Sequence, residues 1–210
     1  MSTHIHIPLQ EGMYYHIYNR GNDQSNIFFN ESNYSHFLKK YDAYLSGHLE
    51  TYAFSLLPNH FHLLVRVKSK NDILKDRSFP SFQNLESLTI GEIVSEFFRR
   101  FFMSYSKSIN KQENRTGSLF QKNFRRKHVD NDAYLTQVIY YIHNQLAHHG
   151  FNEKNDQNYK WNSYQRILND RSSHLMKQEV LHWFGGKQSF ISYHQSQQDL
   201  STIKDLLIDN

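Results

Sequence analysis

Residues 49–67 read LETYAFSLLPNHFHLLVRV, and this stretch decides the fold. Both halves are rich in aliphatic and aromatic residues, and Pro58 and Asn59 separate them, which predicts two strands joined by a tight turn. Successive side chains of a strand point to opposite faces of its sheet. We therefore expect one apolar face in the second strand and, on the other face, two neighbouring imidazoles. The apolar face carries Phe61, Leu63, Val65 and Val67, and the other carries His60, His62, Leu64 and Arg66.

The elements around this hairpin follow from hydrophobic spacing. Short strands are predicted over 13–19 and at the end of residues 117–129, GSLFQKNFRRKHV. Helices are predicted over 31–46, after an Asn30 cap and before Gly47, and over 91–110 and 132–148, while the polar stretch 68–90 predicts a loop. The order of strands and helices predicts an α+β fold, a ferredoxin-like sandwich with an antiparallel sheet. We assign residues 1–150 to one domain and 151–210 to a C-terminal extension with a helical tail.

The composition narrows the classes of function. With 38% hydrophobic and 21% charged residues among 210, the chain is globular, and the absence of cysteine excludes disulfides, thiolate metal sites and thiol catalysis. A net charge of +4 and a pI near 9.1 permit a polyanionic partner without requiring one. No apolar run approaches 18 residues and the N-terminus lacks an apolar signal core, so we expect a cytoplasmic protein with no membrane contact.

Two histidines make an incomplete metal site, because divalent cations take further ligands. The helix predicted over 132–148 can supply one. On a helical projection, Tyr141 and Gln145 lie one turn apart beside the apolar stripe, whereas Tyr140 points away from it. An amide oxygen could complete the coordination and a tyrosine could reach a metal-bound phosphate. Spacing alone favours a plainer interpretation, in which Tyr141 is a boundary tyrosine with a packed ring.

Four segments, in order, resemble the single-tyrosine HUH transposases, specifically the REP-associated tyrosine transposases and their insertion-sequence relatives. PNHFHLLV resembles the family's histidine signature, and YHIYNRGNDQSNIFF its first strand and Arg-Gly turn. GSLFQKNFRRKHV resembles a further conserved stretch of the family, and YYIHNQLAHHG, followed by YKWNSYQ, resembles the segment that carries the catalytic tyrosine. Where REP-associated members often have Asn-Pro, this chain has Gln145 and Leu146, which is similar to the insertion-sequence branch.

The resemblance implies cleavage and rejoining of single-stranded DNA at hairpin-flanked sites through a 5′-phosphotyrosine intermediate. Tyr141 would be the nucleophile, and His60, His62 and Gln145 would bind Mg²⁺ or Mn²⁺. Arg20, Arg125, Arg126 and Lys127 are candidates for contacts with DNA phosphates. The expected partner is single-stranded DNA with hairpin or palindromic elements, bound by a monomer or homodimer in the cytoplasm, in association with the nucleoid.

Three other functions stay open from the sequence. A metal-dependent nuclease could use water as its nucleophile and leave no covalent adduct. A domesticated protein could bind repeat hairpins without cutting them. A small-molecule metalloenzyme is the least favoured, because no carboxylate accompanies the His-x-His pair and basic residues cluster at 122–127.

Overall fold

A computed structural model describes residues 7–75, 87–148 and 158–207 of the chain. Four strands form one antiparallel sheet in the order β2-β3-β1-β4. Each helical connection between parallel strands therefore passes over one antiparallel strand, which is the split βαβ arrangement. The predicted α+β fold with an antiparallel sheet is confirmed. The strands are Tyr14–Arg20 (β1), Leu49–Leu57 (β2), His60–Val67 (β3) and Arg125–Val129 (β4).

Two long helices cover one face of the sheet. They are Glu31–Leu45 (α1) and Ile90–Gln112 (α3), and their aromatic and aliphatic side chains pack against the apolar face of β3. The Asn30 side chain accepts a hydrogen bond from the Asn33 amide, as predicted for the cap of α1. Thr89 and Glu92 form a reciprocal capping box at the start of α3. The short helix Lys70–Lys75 (α2) precedes α3.

Shorter helices cover the opposite face. They are Leu135–His143 (α4), Gln145–His148 (α5), Tyr164–Leu168 (α6), Lys177–Trp183 (α7) and Lys187–Gln195 (α8), with a final 3₁₀ turn at Ser201–Leu206. Side chains from α4 share one buried cluster with β2, β3 and the helices after residue 158. The described part of the extension thus packs on the sheet. No helix among the described residues combines the length and apolarity needed to cross a bilayer.

Two details of the sequence prediction were wrong. The helix predicted over 132–148 is interrupted at Asn144, whose backbone leaves the helical conformation and whose side-chain amide donates to the Tyr140 carbonyl at 2.8 Å, a local bond that competes with regular helix. The loop predicted over 68–90 contains α2, since the Ser69 hydroxyl accepts from the Asp72 amide and caps a helical turn. Residues 76–86 of that loop lie outside the described residues.

A buried chain of hydrogen bonds joins α4 to the sheet and to α8. The Phe54 amide donates to the Ser163 hydroxyl, which contacts His143 Nε2 at 2.7 Å, and His143 Nδ1 contacts His194 Nε2 at 2.9 Å. His194 Nδ1 lies 2.9 Å from the Phe190 carbonyl, which can only accept. His194 Nδ1 therefore donates to the Phe190 carbonyl, and this bond sets the direction of the others. His143 donates to His194, and Ser163 donates to His143. The chain is satisfied only while both imidazoles are neutral.

Acid should therefore destabilise the fold through this chain. Burial lowers the pKa of His143 well below its usual value and lowers the pKa of His194 to about 4. Because the folded-state pKa lies below the unfolded value of about 6.5, the stabilisation is complete above pH 6.5 and is lost as the pH falls towards 4. We expect the free energy of unfolding to drop by about 2–3 kcal/mol from His194 alone between pH 7.5 and 4.5.

Denaturant unfolding at both pH values measures this drop in the wild type and in His194→Asn, which cannot titrate. We expect the variant to be less stable at pH 7.5 and to lose less stability on acidification. His182→Asn, at an exposed position on α7, is the control. An equal loss in His194→Asn and the wild type would show that the buried chain does not cause the acid sensitivity.

Candidate active site

The two histidines of β3 lie on the sheet face that α4 covers. In the register between β1 and β3, Tyr18 pairs with His62 and Arg20 pairs with His60. Directly paired residues of antiparallel strands share a face. His16, two residues before Tyr18, therefore lies on this face as well. Towards Arg20 and His60, the face thus collects three imidazoles, a phenol and a guanidinium from two neighbouring strands, while Tyr14 and Arg66 pair at its other end.

Hydrogen bonds at Nδ1 orient both imidazoles of β3. His60 Nδ1 lies 2.6 Å from Asn59 Oδ1, and His62 Nδ1 lies 3.0 Å from His16 Nε2. Because an amide oxygen only accepts, His60 Nδ1 carries the proton and its Nε2 carries the lone pair. The Nε2 atoms of both rings are buried. Such an arrangement, with one ring nitrogen bonded and the other turned inward, is typical of histidines that ligate metals.

Tyr141 projects from α4 onto the same face. Its ring is 4% exposed and stands edge-on to His16 and His62, with centroid distances of 5.8 Å to each. Tyr140 lies on another side of the helix, against Tyr193 and His194, at 5.8 and 5.7 Å. Of the two adjacent tyrosines, only Tyr141 contacts the histidines of the sheet.

Gln145 begins α5, immediately after the interruption at Asn144. Its side-chain Nε2 donates to the Tyr141 carbonyl at 2.9 Å, which fixes the amide group. Its Oε1 is fully buried and has no hydrogen-bond partner among the described residues. Leaving a buried carbonyl oxygen unsatisfied costs about 1–3 kcal/mol. A cation would satisfy this oxygen.

The predicted ligands His60, His62 and Gln145 would form a donor set that fits a divalent cation with borderline to hard preferences. Two imidazole nitrogens and one amide oxygen suit Mn²⁺ or Mg²⁺, and three protein ligands leave coordination positions for water or a phosphate oxygen. Among the residues described, no group of three or more His, Cys, Asp or Glu is placed to bind a metal ion. A metal held by His60 and His62 would therefore need a further ligand of another type, such as the predicted Gln145 amide.

The four basic residues predicted to contact DNA divide between the two faces of the sheet. Arg20 and Arg125 lie on the histidine face, since Tyr18 pairs with Arg125 in β4. Lys127 shares that face but is buried, and its ammonium donates to the Leu207 carbonyl. Arg126 points to the opposite face, where it donates to the Ile7 carbonyl and lies 5.2 Å from the Phe124 ring centroid. The structure thus brings only Arg20 and Arg125 towards Tyr141.

Sequence reasoning missed two residues of this face, His16 and Tyr18. Burial raises the pKa of Tyr18, and a hydrogen bond to the Arg125 guanidinium opposes that shift. Tyr141 and Arg20 are also close enough to affect the pKa of Tyr18 electrostatically. The signal was present in YYHIYNR, where His16 and Tyr18 are two residues apart and so share a face. It became interpretable only once β1 was known to pair with β3.

No protein-family model and no curated protein matches the sequence. Among solved structures, one described as a REP-associated tyrosine transposase bound to a REP hairpin matches with a TM-score of 0.54 and 15% identity. The match covers 80% of this chain and 86% of that one. The two proteins share a fold. A bacterial tRNA(His) guanylyltransferase-like protein in complex with GTP also matches, at a TM-score of 0.44 and 9% identity over 73% of this chain, which is too distant to support an argument.

The donor set predicts that Mn²⁺ stabilises the protein. At a hundredfold excess over Kd, one bound ion adds about 2.7 kcal/mol, which corresponds to roughly 5–10 °C in Tm for a chain of this size. Thermal unfolding with and without Mn²⁺ measures the shift. We expect His60→Ala and Gln145→Ala to reduce the shift severalfold, whatever their own Tm. His36→Ala, on α1, is the control, and an equal shift in all four proteins would remove the metal site.

Proposed function

We propose that the chain is a metal-dependent transposase and endonuclease of the HUH type, which cleaves and rejoins single-stranded DNA at hairpin-flanked sites through a 5′-phosphotyrosine intermediate. The observation that carries this proposal is the contact of the Tyr141 ring with His62, on a face that also holds His60. The fold shared with a hairpin-bound tyrosine transposase and the four sequence segments support it.

Three residues would hold the metal, His60 and His62 through Nε2 and Gln145 through Oε1. A bound Mg²⁺ or Mn²⁺ supplies positive charge that polarises a phosphate and favours ionisation of a nearby phenol. Asn59 and His16 fix the imidazoles through Nδ1, and the Tyr141 carbonyl fixes the Gln145 amide. The ligand from the helix is therefore tied to the residue that would react.

Tyr141 would act as the nucleophile. A neutral phenol has a pKa of ~10 and reacts poorly, so the hydroxyl must lose its proton as its oxygen bonds to phosphorus. The bond from phosphorus to the 3′ oxygen breaks, and that oxygen takes up a proton. One phosphodiester replaces another, so a 3′-OH can reverse the step without an external energy source. Arg20 and Arg125 lie on the same face and would bind the phosphate groups.

The burial of Tyr141 favours a second candidate function. Tyr141 is only 4% exposed, so other residues cover most of its surface. A hairpin-binding protein that does not cleave would need no access to this side chain. A nuclease that uses water is the remaining alternative, and adduct formation separates it from strand transfer. We propose single-stranded hairpin DNA as the partner for all three candidate functions, and for the nuclease this DNA is the substrate. We propose that the protein acts as a monomer or homodimer at the nucleoid.

Replacing Tyr141 with phenylalanine should abolish a covalent protein–DNA adduct, because the nucleophilic oxygen is removed. The assay mixes end-labelled single-stranded hairpin oligonucleotides with protein and Mn²⁺, denatures the mixture in detergent and detects labelled protein. Tyr140→Phe is the matched control, since that ring packs against Tyr193 and His194 rather than against the histidines of the sheet. We expect the adduct in the wild type and in Tyr140→Phe only.

The other outcomes separate the candidate functions. An adduct lost in Tyr140→Phe and kept in Tyr141→Phe would identify Tyr140 as the nucleophile. Cleavage without an adduct would support the water-using nuclease. Tight hairpin binding with neither cleavage nor adduct, in both metals, would support the non-cleaving DNA-binding protein.

A further inference from the structure

A long cleft lies on the opposite side of the sheet from the histidines. It has a volume of about 950 Å³ and runs between α3 and the segment 118–126, with Asn19 of β1 also in its lining. Its α3 wall extends from Ser95 to Asn110, which is about 20 Å of helix. A single nucleotide or a small cofactor would fill only part of that length. The shape suits a segment of an extended polymer.

The floor of this cleft is aromatic. The Phe102 ring lies 4.8 Å from the Phe120 ring and 5.9 Å from the Phe124 ring, measured between centroids. Phe120 and Phe124 are buried, so Phe102 and Met103 provide the accessible part of this apolar floor. Phe102 is half-buried, and Met103 beside it is 58% exposed. Phenyl rings and an exposed thioether are favourable surfaces for the flat faces of unpaired bases.

The walls of the cleft are cationic and rich in amides. Arg99, Lys107 and Arg126 line it, and no carboxylate does so among the described residues. Glu96 pairs with Arg99 from outside the lining and offsets part of that charge, whereas Lys107 is exposed and forms no ion pair with a described residue. Two accessible side-chain amides, of Gln121 and Asn123, supply donors and acceptors that can reach base edges. The amides of Asn19 and Asn110 also line the cleft but donate to the carbonyls of Gln121 and Gly117.

We propose that this cleft binds unpaired nucleotides of a DNA strand, at a position separate from the cleavage site. Cations along the walls would contact phosphates, and the aromatic floor would stack with bases. A protein segment fits less well, because the lining carries positive charge and no carboxylate to pair with basic side chains. The site rests on the proposed function, since it would hold the single-stranded flank of the hairpin DNA that Tyr141 acts on.

The strand order explains how one DNA chain could reach both sites. Asn19 and Arg20 are adjacent at the end of β1, and their side chains point to opposite faces of the sheet. Asn19 lines the cleft, while Arg20 pairs with His60 on the cleavage face. A DNA strand that passes around the end of β1 would reach from one site to the other.

Equilibrium binding of two labelled oligonucleotides tests this site without any cleavage. One is a bare DNA hairpin, and the other is the same hairpin with an unpaired oligo-dT flank. Fluorescence anisotropy is measured without metal in a Tyr141→Phe background, so that no strand is cut. The cleft variants are Lys107→Gln and Met103→Glu, both at exposed positions that should leave folding intact. Lys39→Gln, an exposed lysine of α1, is the charge-matched control.

We expect the flanked hairpin to bind more tightly than the bare hairpin to the parent protein. Lys107→Gln should weaken binding of the flanked hairpin roughly three- to tenfold and lower the salt-dependence slope by about 0.7, the value for one phosphate contact on a single strand. Met103→Glu should weaken it further, because its carboxylate repels phosphates. Neither cleft variant should change binding of the bare hairpin. Lys39→Gln should change binding of neither oligonucleotide.

Several results would overturn the assignment. Equal binding of both oligonucleotides by the parent protein, or unchanged binding by both cleft variants, removes the single-strand site and leaves the proposed function intact. An equal loss on the bare hairpin would reassign the cleft to paired DNA. No binding of either oligonucleotide by the parent protein would overturn the proposed function together with this site. A shift in sedimentation of Met103→Glu alone would make the cleft an interface between two copies of the chain.

Discussion

The antiparallel pairing of β1 with β3 is the constraint on which the rest of the structure depends. It places Tyr18 opposite His62 and Arg20 opposite His60, so that the polar side chains of both strands meet on one face. Alternation has a period of two, and a slip of one residue would exchange the faces of a strand. The apolar row of β3 against α1 and α3 prevents that slip, because the alternative register would bury two imidazoles among phenyl rings. The hydrophobic core thereby positions the candidate active site.

A second polar system, distinct from the candidate site, positions α4. The buried chain from Ser163 through His143 to His194 lies two residues along the helix from Tyr141 and links α4 to β2 and α8. Each bond has one possible direction while both rings are neutral. A rigid helix is useful here, since small displacements of a reacting group cost large factors in rate. The residues after 158 therefore support the position of Tyr141 as well as covering the sheet.

The sheet separates two kinds of chemistry. One face carries the imidazoles and phenols of the candidate active site, and the other carries a long cleft with an aromatic floor and cationic walls. Strand alternation produces this division from neighbouring residues, as Asn19 and Arg20 or Arg125 and Arg126 show. The proposed DNA binding and the proposed phosphate chemistry would thus use opposite faces of a single four-stranded sheet.

The sequence alone determined the periodic features. The alternation in HFHLLVRV placed His60 and His62 on one face, and helical spacing separated Tyr141 from Tyr140, because both inferences depend only on local geometry. Tertiary structure decided what depends on partners distant along the chain. The positions of His16 and Tyr18 beside the histidines of β3 followed from the pairing of β1 with β3. The interruption at Asn144 came from a side-chain bond that competes with the helix. The contacts of Arg126, on the opposite face from Arg125, became known only from the packing around β4. Periodicity can be read from a short segment of sequence. Strand register and the packing of helices depend on contacts between segments that are far apart in the chain.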